Sequence, residues 1–438
     1  MLLQKFKDHI TDDFSFLKEK TLLIACSGGL DSIVLVALCH QLQLEFGIAH
    51  CNFKLREKES DEDDIFVKTL AEKLGILCFR TSFDTKKYAS QHNVSIQMAA
   101  RKLRYDWFKK IAFASKFDYV LTAHHADDNL ETFLINLSRG TGLNGLTGIP
   151  KVNEIFIRPL LPFSRKEILD FAIENKLQWR EDSSNQDKKY LRNHVRHGVV
   201  SGLKSVHPQF LQNFANTLHY LNQSKHFIED QVAYLKKEVF DTSDTNTIKI
   251  SIAKLHQYSQ PEHSVYFLFR DYGFTAWHDI AQMMTAQSGK QIFSTTHRLV
   301  KDRAYLLLSP ITEEISDTTY YISEEEQKAI IPPGVIQLRR VSEIKPTDLK
   351  TVYLDKEKLK YPLLVRKWKP GDYFYPFGMK GKKKLSKFFK DEKLSILAKE
   401  NVWVLCSQED IVWVINYRLD NRFKVTPQTE QLLKITIT

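Results

Sequence analysis

Six residues near the start of this 438-residue chain, Ser27-Gly28-Gly29-Leu30-Asp31-Ser32, restrict its fold more than any other stretch. They follow the apolar run 21–26 and lead into residues 31–43, whose spacing is helical, so the sequence predicts a strand, a tight glycine turn and a helix. Glycines let the backbone come close to a ligand, and the start of a helix aims unpaired amides at an anion. The stretch lacks the lysine of G-x-x-x-x-G-K-[ST], which argues against transfer of a γ-phosphoryl group. Ser27 and Ser32 can donate to phosphate oxygens, and Asp31 in so anionic a site makes sense as a magnesium partner. Local chemistry also allows a plain turn capped by Ser27 or Ser32.

From residue 21 to about 160, β-rich runs at 21–26, 45–50, 76–81 and 118–123 alternate with helical periodicity over 31–43, 60–74 and 95–115. Such alternation predicts an α/β domain, a doubly wound parallel sheet with helices on both faces and ligands at the carboxyl ends of its strands. Residues 208–240 and 262–287 read as mainly helical, and after about 290 the texture turns β-rich, with strand candidates at 293–309, 335–341, 402–405 and 411–416. We expect a catalytic domain over 1–205, a mainly helical domain over 206–320 and a small β-rich, basic α+β domain over 321–438. A net charge of +10, from 63 basic and 53 acidic residues, suits a polyanionic partner. Cys26, Cys39, Cys51, Cys78 and Cys406 show no C-x-x-C pair or metal-ligand spacing, which fits a reduced, cytoplasmic protein. No window reaches the ~18 apolar residues of a membrane span.

A second cluster, His124-His125-Ala126-Asp127-Asp128-Asn129-Leu130-Glu131-Thr132, follows the strand candidate at 118–123. At helical pitch His124, Asp127, Asp128 and Glu131 share one face, and Leu130, Phe133, Leu134 and Leu137 the other. An imidazole and three carboxylates in the crevice suit magnesium binding or deprotonation of an attacking amine. Acidic residues also favour the first turn of any helix, by about 0.3–1 kcal/mol each. That accounts for Asp127 and Asp128 but not for the paired histidines, of which His125 is the more readily read as structural. Arg101 with Arg104, at i, i+3, and Arg192 with Arg196, at i, i+4, suit phosphate oxygens or RNA, and equally a solvated basic face.

The loop at 27–32 resembles that of the pyrophosphatase-loop (PP-loop) ATPases, which grip the pyrophosphate of ATP and transfer AMP to a substrate oxygen. Further stretches narrow the resemblance to the tRNA(Ile)-lysidine synthases. They are His50-Cys51-Asn52-Phe53-Lys54-Leu55-Arg56, the Ala-Ala-Arg-Lys-Leu-Arg-Tyr run at 99–105, the His-Asp-Asp-Glu cluster, Leu137-Ser138-Arg139-Gly140-Thr141-Gly142, Arg158-Pro159-Leu160-Leu161, Asp182-Ser183-Ser184-Asn185 and Arg192-Asn193. The chain departs from that family at Phe53, where histidine is more usual. Its last part resembles the family's terminal domain through Trp368-Lys369-Pro370-Gly371-Asp372, Pro376-Phe377-Gly378-Met379 and Lys384-Leu385-Ser386-Lys387-Phe388-Phe389, with Asn416 where glycine is usual. Lys380, Lys382, Lys383, Lys384, Lys387 and Lys390, interleaved with Phe388 and Phe389, read as a basic strip for an RNA backbone, or as a solvated face with its aromatics in the core.

The resemblance implies that ATP, with Mg2+, adenylates the C2 oxygen of the wobble cytidine in a CAU-anticodon tRNA(Ile). The ε-amine of L-lysine then attacks C2 and expels AMP, changing decoding from AUG to AUA. It implies ATP binding by Ser27, Gly28, Gly29, Leu30, Asp31 and Ser32, with Asp31 on magnesium. Asp31, His124, Asp127, Asp128, Glu131, Arg104 and Arg192 form the expected catalytic set, and Arg196, Lys382, Lys383, Lys384 and Lys387 the expected tRNA contacts. Attack requires a neutral amine, so one of Asp127, Asp128, His124 or Glu131 serves as base. A tRNA thiolase of the same superfamily would need a cysteine pair, and a non-catalytic tRNA-binding protein would not need both motifs intact. Monomer and homodimer are equally open.

Overall fold

Strand β1 (Leu22–Ala25) sends Leu22 and Ile24 to one face of its sheet and Leu23 to the other, and all three are fully buried. A strand covered on both faces belongs in the middle of an α/β sheet. In a computed structural model β2 (Phe46–Asn52), β3 (Cys78–Ser82), β4 (Tyr119–Leu121) and β6 (Phe156–Ile157) run parallel to β1, with β5 (Val152–Asn153) antiparallel at the edge. Their order is β3-β2-β1-β4-β6-β5. The structure describes all residues except 56–57, 182–190, 245, 259–260, 312–317 and 347, and divides into two compact units, Met1–Asp230 and Gln231–Thr438.

In the first unit the connecting helices are α1 (Leu2–Asp13), α2 (Leu30–Gln41), α3 (Lys58–Leu74), α4 (Thr85–His92), α5 (Ile96–Ala114), α6 (Ala126–Ser138), α7 (Leu143–Leu146) and α8 (Arg165–Glu174). Residues of α1, α2, α3 and α8 form one core with Leu22, Ile24, Ile48, Leu121 and Ile157, while Phe108 and Ala112 of α5 cover Leu23, Ala49, Val120 and Phe156 on the other face. The doubly wound sheet is therefore the one that the alternation predicts. Chain direction along the sheet reverses between β1 and β4, so the segments that leave these two neighbours open into one crevice. The helix after β4 starts at Ala126, not before the histidines, because His125 adopts an extended conformation as its cap. His124 therefore lies in the strand-to-helix connection and shares no helical face with Asp127.

In the second unit the first sheet is antiparallel, ordered Phe240–Asp241, Ile248–Ser251, Tyr305–Pro310, His297–Asp302 and Gln291–Phe293, and its core is shared with helices Pro261–Phe269 and Trp277–Met283. The run 293–309 is a hairpin, turned at Arg303 with φ +50°. Two further antiparallel sheets face each other across Ile336, Leu354, Leu363, Val365, Leu405, Trp413 and Ile435. Strand Trp403–Ser407 alternates: Trp403 and Leu405 enter that core, while Val404 and Cys406 meet the helix Leu385–Asp391 on the opposite face. In the Trp-Lys-Pro-Gly-Asp turn, Gly371 takes φ +99°, and Asp372 accepts two hydrogen bonds from the Arg366 guanidinium, 2.8 and 3.0 Å. Asn416 takes the glycine's place with φ +65°, a conformation that asparagine tolerates.

Phe388 and Phe389 are buried under this last helix, 1% and 0% exposed, and pack on Phe374, Val404 and Val414. They hold the lysine strip in place from beneath and present no ring to solvent. Phe388→Ala should cost about 3–5 kcal/mol, whereas Lys387→Ala should stay within ~0.5 kcal/mol, as read from urea unfolding midpoints.

Candidate active site

Gly28 has φ +88°, which allows the chain to turn sharply out of β1. Gly29 is the extended cap of α2. Ser32 donates its hydroxyl to the Gly29 carbonyl at 2.9 Å and accepts from the Ser27 amide at 3.2 Å, while Ser27 Oγ accepts from the Gly29 amide at 3.3 Å. Leu30 packs into the core and anchors the turn. A residue that sequence reasoning missed ties the loop to α3: the Arg180 amide donates to the Gly28 carbonyl at 2.9 Å, and its side chain bonds Asp63 at 3.1 Å and Glu62 at 2.6 Å. Its only sequence signal is adjacency to the Asp182–Asn185 motif, which lies outside the described residues, as does Arg56.

His125 joins the two motifs. Its Nδ1 accepts from the Asp128 amide at 3.3 Å, and the Asp128 carboxylate accepts from the His125 amide at 3.1 Å, a reciprocal cap at the start of α6. Accepting at Nδ1 leaves the ring proton on Nε2, which lies 3.5 Å from Asp128 Oδ2 and 3.6 Å from Asp31 Oδ1. Burial works against a charge on this ring, but the carboxylates of Asp31 and Asp128 outweigh it and raise its pKa. The residue read as more structural is thus both a cap and the bridge to Asp31. His124 differs: burial, reinforced by Arg158 and Arg192, lowers its pKa to about 4, and its Nδ1 lies 3.0 Å from Thr122 Oγ1.

Glu131 has no exposed surface, and both its oxygens are taken, by Arg192 Nε at 2.7 Å and Arg196 Nε at 2.5 Å. The same arginines reach Asp128 Oδ1 at 2.9 and 3.4 Å. Two rows produce this lattice: Asp128 and Glu131 at i, i+3 on α6, and Arg192 and Arg196 at i, i+4 along α9 (Leu191–His194) and the π-helical turn Val195–Val200. Arg196, expected at the RNA, is turned inward here because a buried carboxylate demands a partner. Asp127 points elsewhere: it accepts from the Arg165 amide at the start of α8, at 2.8 Å, and from Lys204 on α10 (Ser201–Val206). Arg104, on α5, lies over the Phe53 ring at 5.0 Å.

Asp31 Oδ1 is buried and, among the described residues, has no hydrogen-bond partner, which suits a cation. Among the described residues no group of three or more His, Cys, Asp or Glu side chains could hold a metal. In the second unit Lys382, Lys384 and Lys387 are exposed, whereas Lys383 pairs with Asp391 at 2.7 Å. No helix among the described residues is long and apolar enough to cross a membrane.

Three family models match the chain: a PP-loop domain over residues 2–203, a TilS substrate binding domain over 243–311 and a TilS substrate C-terminal domain over 363–435. The tRNA(Ile)-lysidine synthase of Parabacteroides distasonis is 37% identical over 423 residues, 95% of this chain and 95% of that protein. The protein of the same name from Bacteroides thetaiotaomicron is 37% identical over 438 residues, 99% of each chain. That from Bacillus subtilis is 28% identical over 439 residues, 94% of this chain and 93% of its own.

Because His124 stays neutral when folded, the unfolded chain binds its proton first as pH falls. Its contribution to stability is complete above pH 6.5 and is lost on the way down to about 4. His124→Asn should lessen the acid-side fall of the urea midpoint in that window by at most ~1.4 kcal/mol per pH unit. An unchanged slope would refute the neutral imidazole.

Proposed function

This chain belongs to the tRNA(Ile)-lysidine synthase family, and from that premise we propose how its residues divide the work of ligating L-lysine to the wobble cytidine of a CAU-anticodon tRNA(Ile). Residues 27–32 hold the pyrophosphate of ATP through amides at the start of α2 and the hydroxyls of Ser27 and Ser32. Asp31 would carry Mg2+, whose charge offsets that of the phosphates. The cytidine C2 oxygen attacks the α-phosphorus and pyrophosphate leaves. Lysine Nε then attacks C2, its proton passes to a carboxylate, and AMP departs with the former C2 oxygen. Arg104 and Arg192 stabilise negative charge on the nucleotide or the RNA.

Of the four candidate bases we assign the role to Asp128. His124 lies ahead of α6 with its Nδ1 against Thr122, Asp127 is committed to α8 and Lys204, and Glu131 is wholly enclosed by arginines. Asp128 borders His125 and Arg192 and stays ionised despite its burial. An ammonium that loses its water on entering the crevice has its pKa lowered, which favours release of the proton to Asp128. The closeness of the two motifs, His125 Nε2 to Asp31 Oδ1 at 3.6 Å, carries this reading.

We keep three functional parts, 1–205, 206–320 and 321–438, since the matched segments fall one in each. The last offers Lys382, Lys384 and Lys387 to the RNA backbone. The free thiols suit a reducing, cytoplasmic setting.

The decisive assay mixes the protein with magnesium ATP, labelled lysine and a CAU tRNA(Ile) transcript, beside a control bearing wobble uridine. Label should enter only the first; label in both, or ATP turnover with label in neither, sinks the assignment. Asp31→Ala should abolish pyrophosphate release while sparing tRNA binding, and retained turnover would remove the metal role. Lys382, Lys384 and Lys387 changed together to alanine should weaken tRNA binding and flatten its dependence on salt, by up to about three phosphate contacts in slope.

A further inference from the structure

Phe53 and Phe83 leave the carboxyl ends of β2 and β3, beside the strand from which the phosphate loop departs. Their ring centroids are 5.9 Å apart with planes at 26°, and the Arg104 guanidinium sits over the Phe53 ring at 5.0 Å. The backbone around Phe53 is fixed on several sides. Thr85 Oγ1 donates to the Phe53 carbonyl at 2.9 Å, the Phe83 amide to the Asn52 carbonyl at 2.8 Å, and Asn52 Nδ2 to Asp61 at 2.9 Å. Arg104 itself is exposed, and among the described residues it forms no salt bridge.

We propose that Phe53 is a positioning residue, whose ring orients Arg104 toward a substrate phosphate without spending its charge. A carboxylate partner would occupy the guanidinium's fork and cancel its charge, as Asp128 and Glu131 do for Arg192 and Arg196. A ring face attracts the cation through its quadrupole and leaves the N–H edges free to donate. Arg104 is thereby held in direction without a carboxylate that would cancel its charge. This inference rests on the reading of Arg104 as a cation for the nucleotide or the RNA, and the phosphate could belong to either.

The test is steady-state lysine ligation by Phe53→Leu, Phe53→Tyr, Arg104→Ala and the double variant Phe53→Leu/Arg104→Ala, with KM measured separately for ATP and tRNA. Phe53→Leu removes the ring and keeps an apolar side chain; it should raise, by about two- to fivefold, the same KM that Arg104→Ala raises. Phe53→Tyr should behave as wild type, and the double variant should match Arg104→Ala alone. An affected KM for ATP identifies the nucleotide phosphate, and one for tRNA the RNA backbone; both uphold the proposal. A wild-type KM in Phe53→Leu, or a full extra loss in the double variant, overturns it. If Phe53→Leu does not fold, Phe53→Met takes its place under the same criteria. Arg104→Ala indistinguishable from wild type would overturn the reading of Arg104 and this inference with it, whereas loss in Arg104→Ala beside an unaffected Phe53→Leu removes the inference alone.

Discussion

A carboxylate with no exposed surface sets the terms for the first unit. Arg192 and Arg196 meet both oxygens of the buried Glu131, and those arginines lie more than sixty positions further along the chain. Burying an ion costs several kcal/mol unless it is paired, so this pairing fixes the segment after residue 190 against α6. Asp127 adds a second tie through Lys204 and a third to the start of α8. What is drawn together is one wall of the crevice beside the phosphate loop, lined by charges that are neutralised in pairs.

The sheet was legible because its signals are local. Apolar runs such as residues 21–26 and 118–123 fill both faces of β1 and β4, and the glycines at 28 and 29 mark the turn between strand and helix. The charged lattice was only half legible. Spacing puts Asp128 with Glu131 and Arg192 with Arg196, but nothing in spacing says that the pairs face each other, since that depends on how a distant segment returns across the sheet. His124 was misplaced for a related reason. Helical pitch carried back from Glu131 assumes a helix that begins early, whereas a cap ends the periodicity at His125.

In the second unit the same contrast appears in Phe388 and Phe389. Interleaving with lysines suggests stacking surfaces, yet a short helix with one face on a sheet must turn its aromatics inward, leaving the lysines outside. Arg180 is the opposite case: an isolated arginine with no periodic neighbour, whose amide and side chain together secure the loop at Gly28. Such single ties leave no pattern to read.

The cap at His125 has a consequence for the protein's behaviour in acid. One nitrogen of that ring receives a backbone hydrogen from α6, and the other faces two carboxylates that draw positive charge toward it. The ring cannot satisfy both demands at once: a second proton must displace the backbone hydrogen. Gaining charge therefore means giving up one of the two hydrogen bonds that cap the helix carrying Asp128 and Glu131. Acidification would then loosen the start of α6 at its capping hydrogen bond.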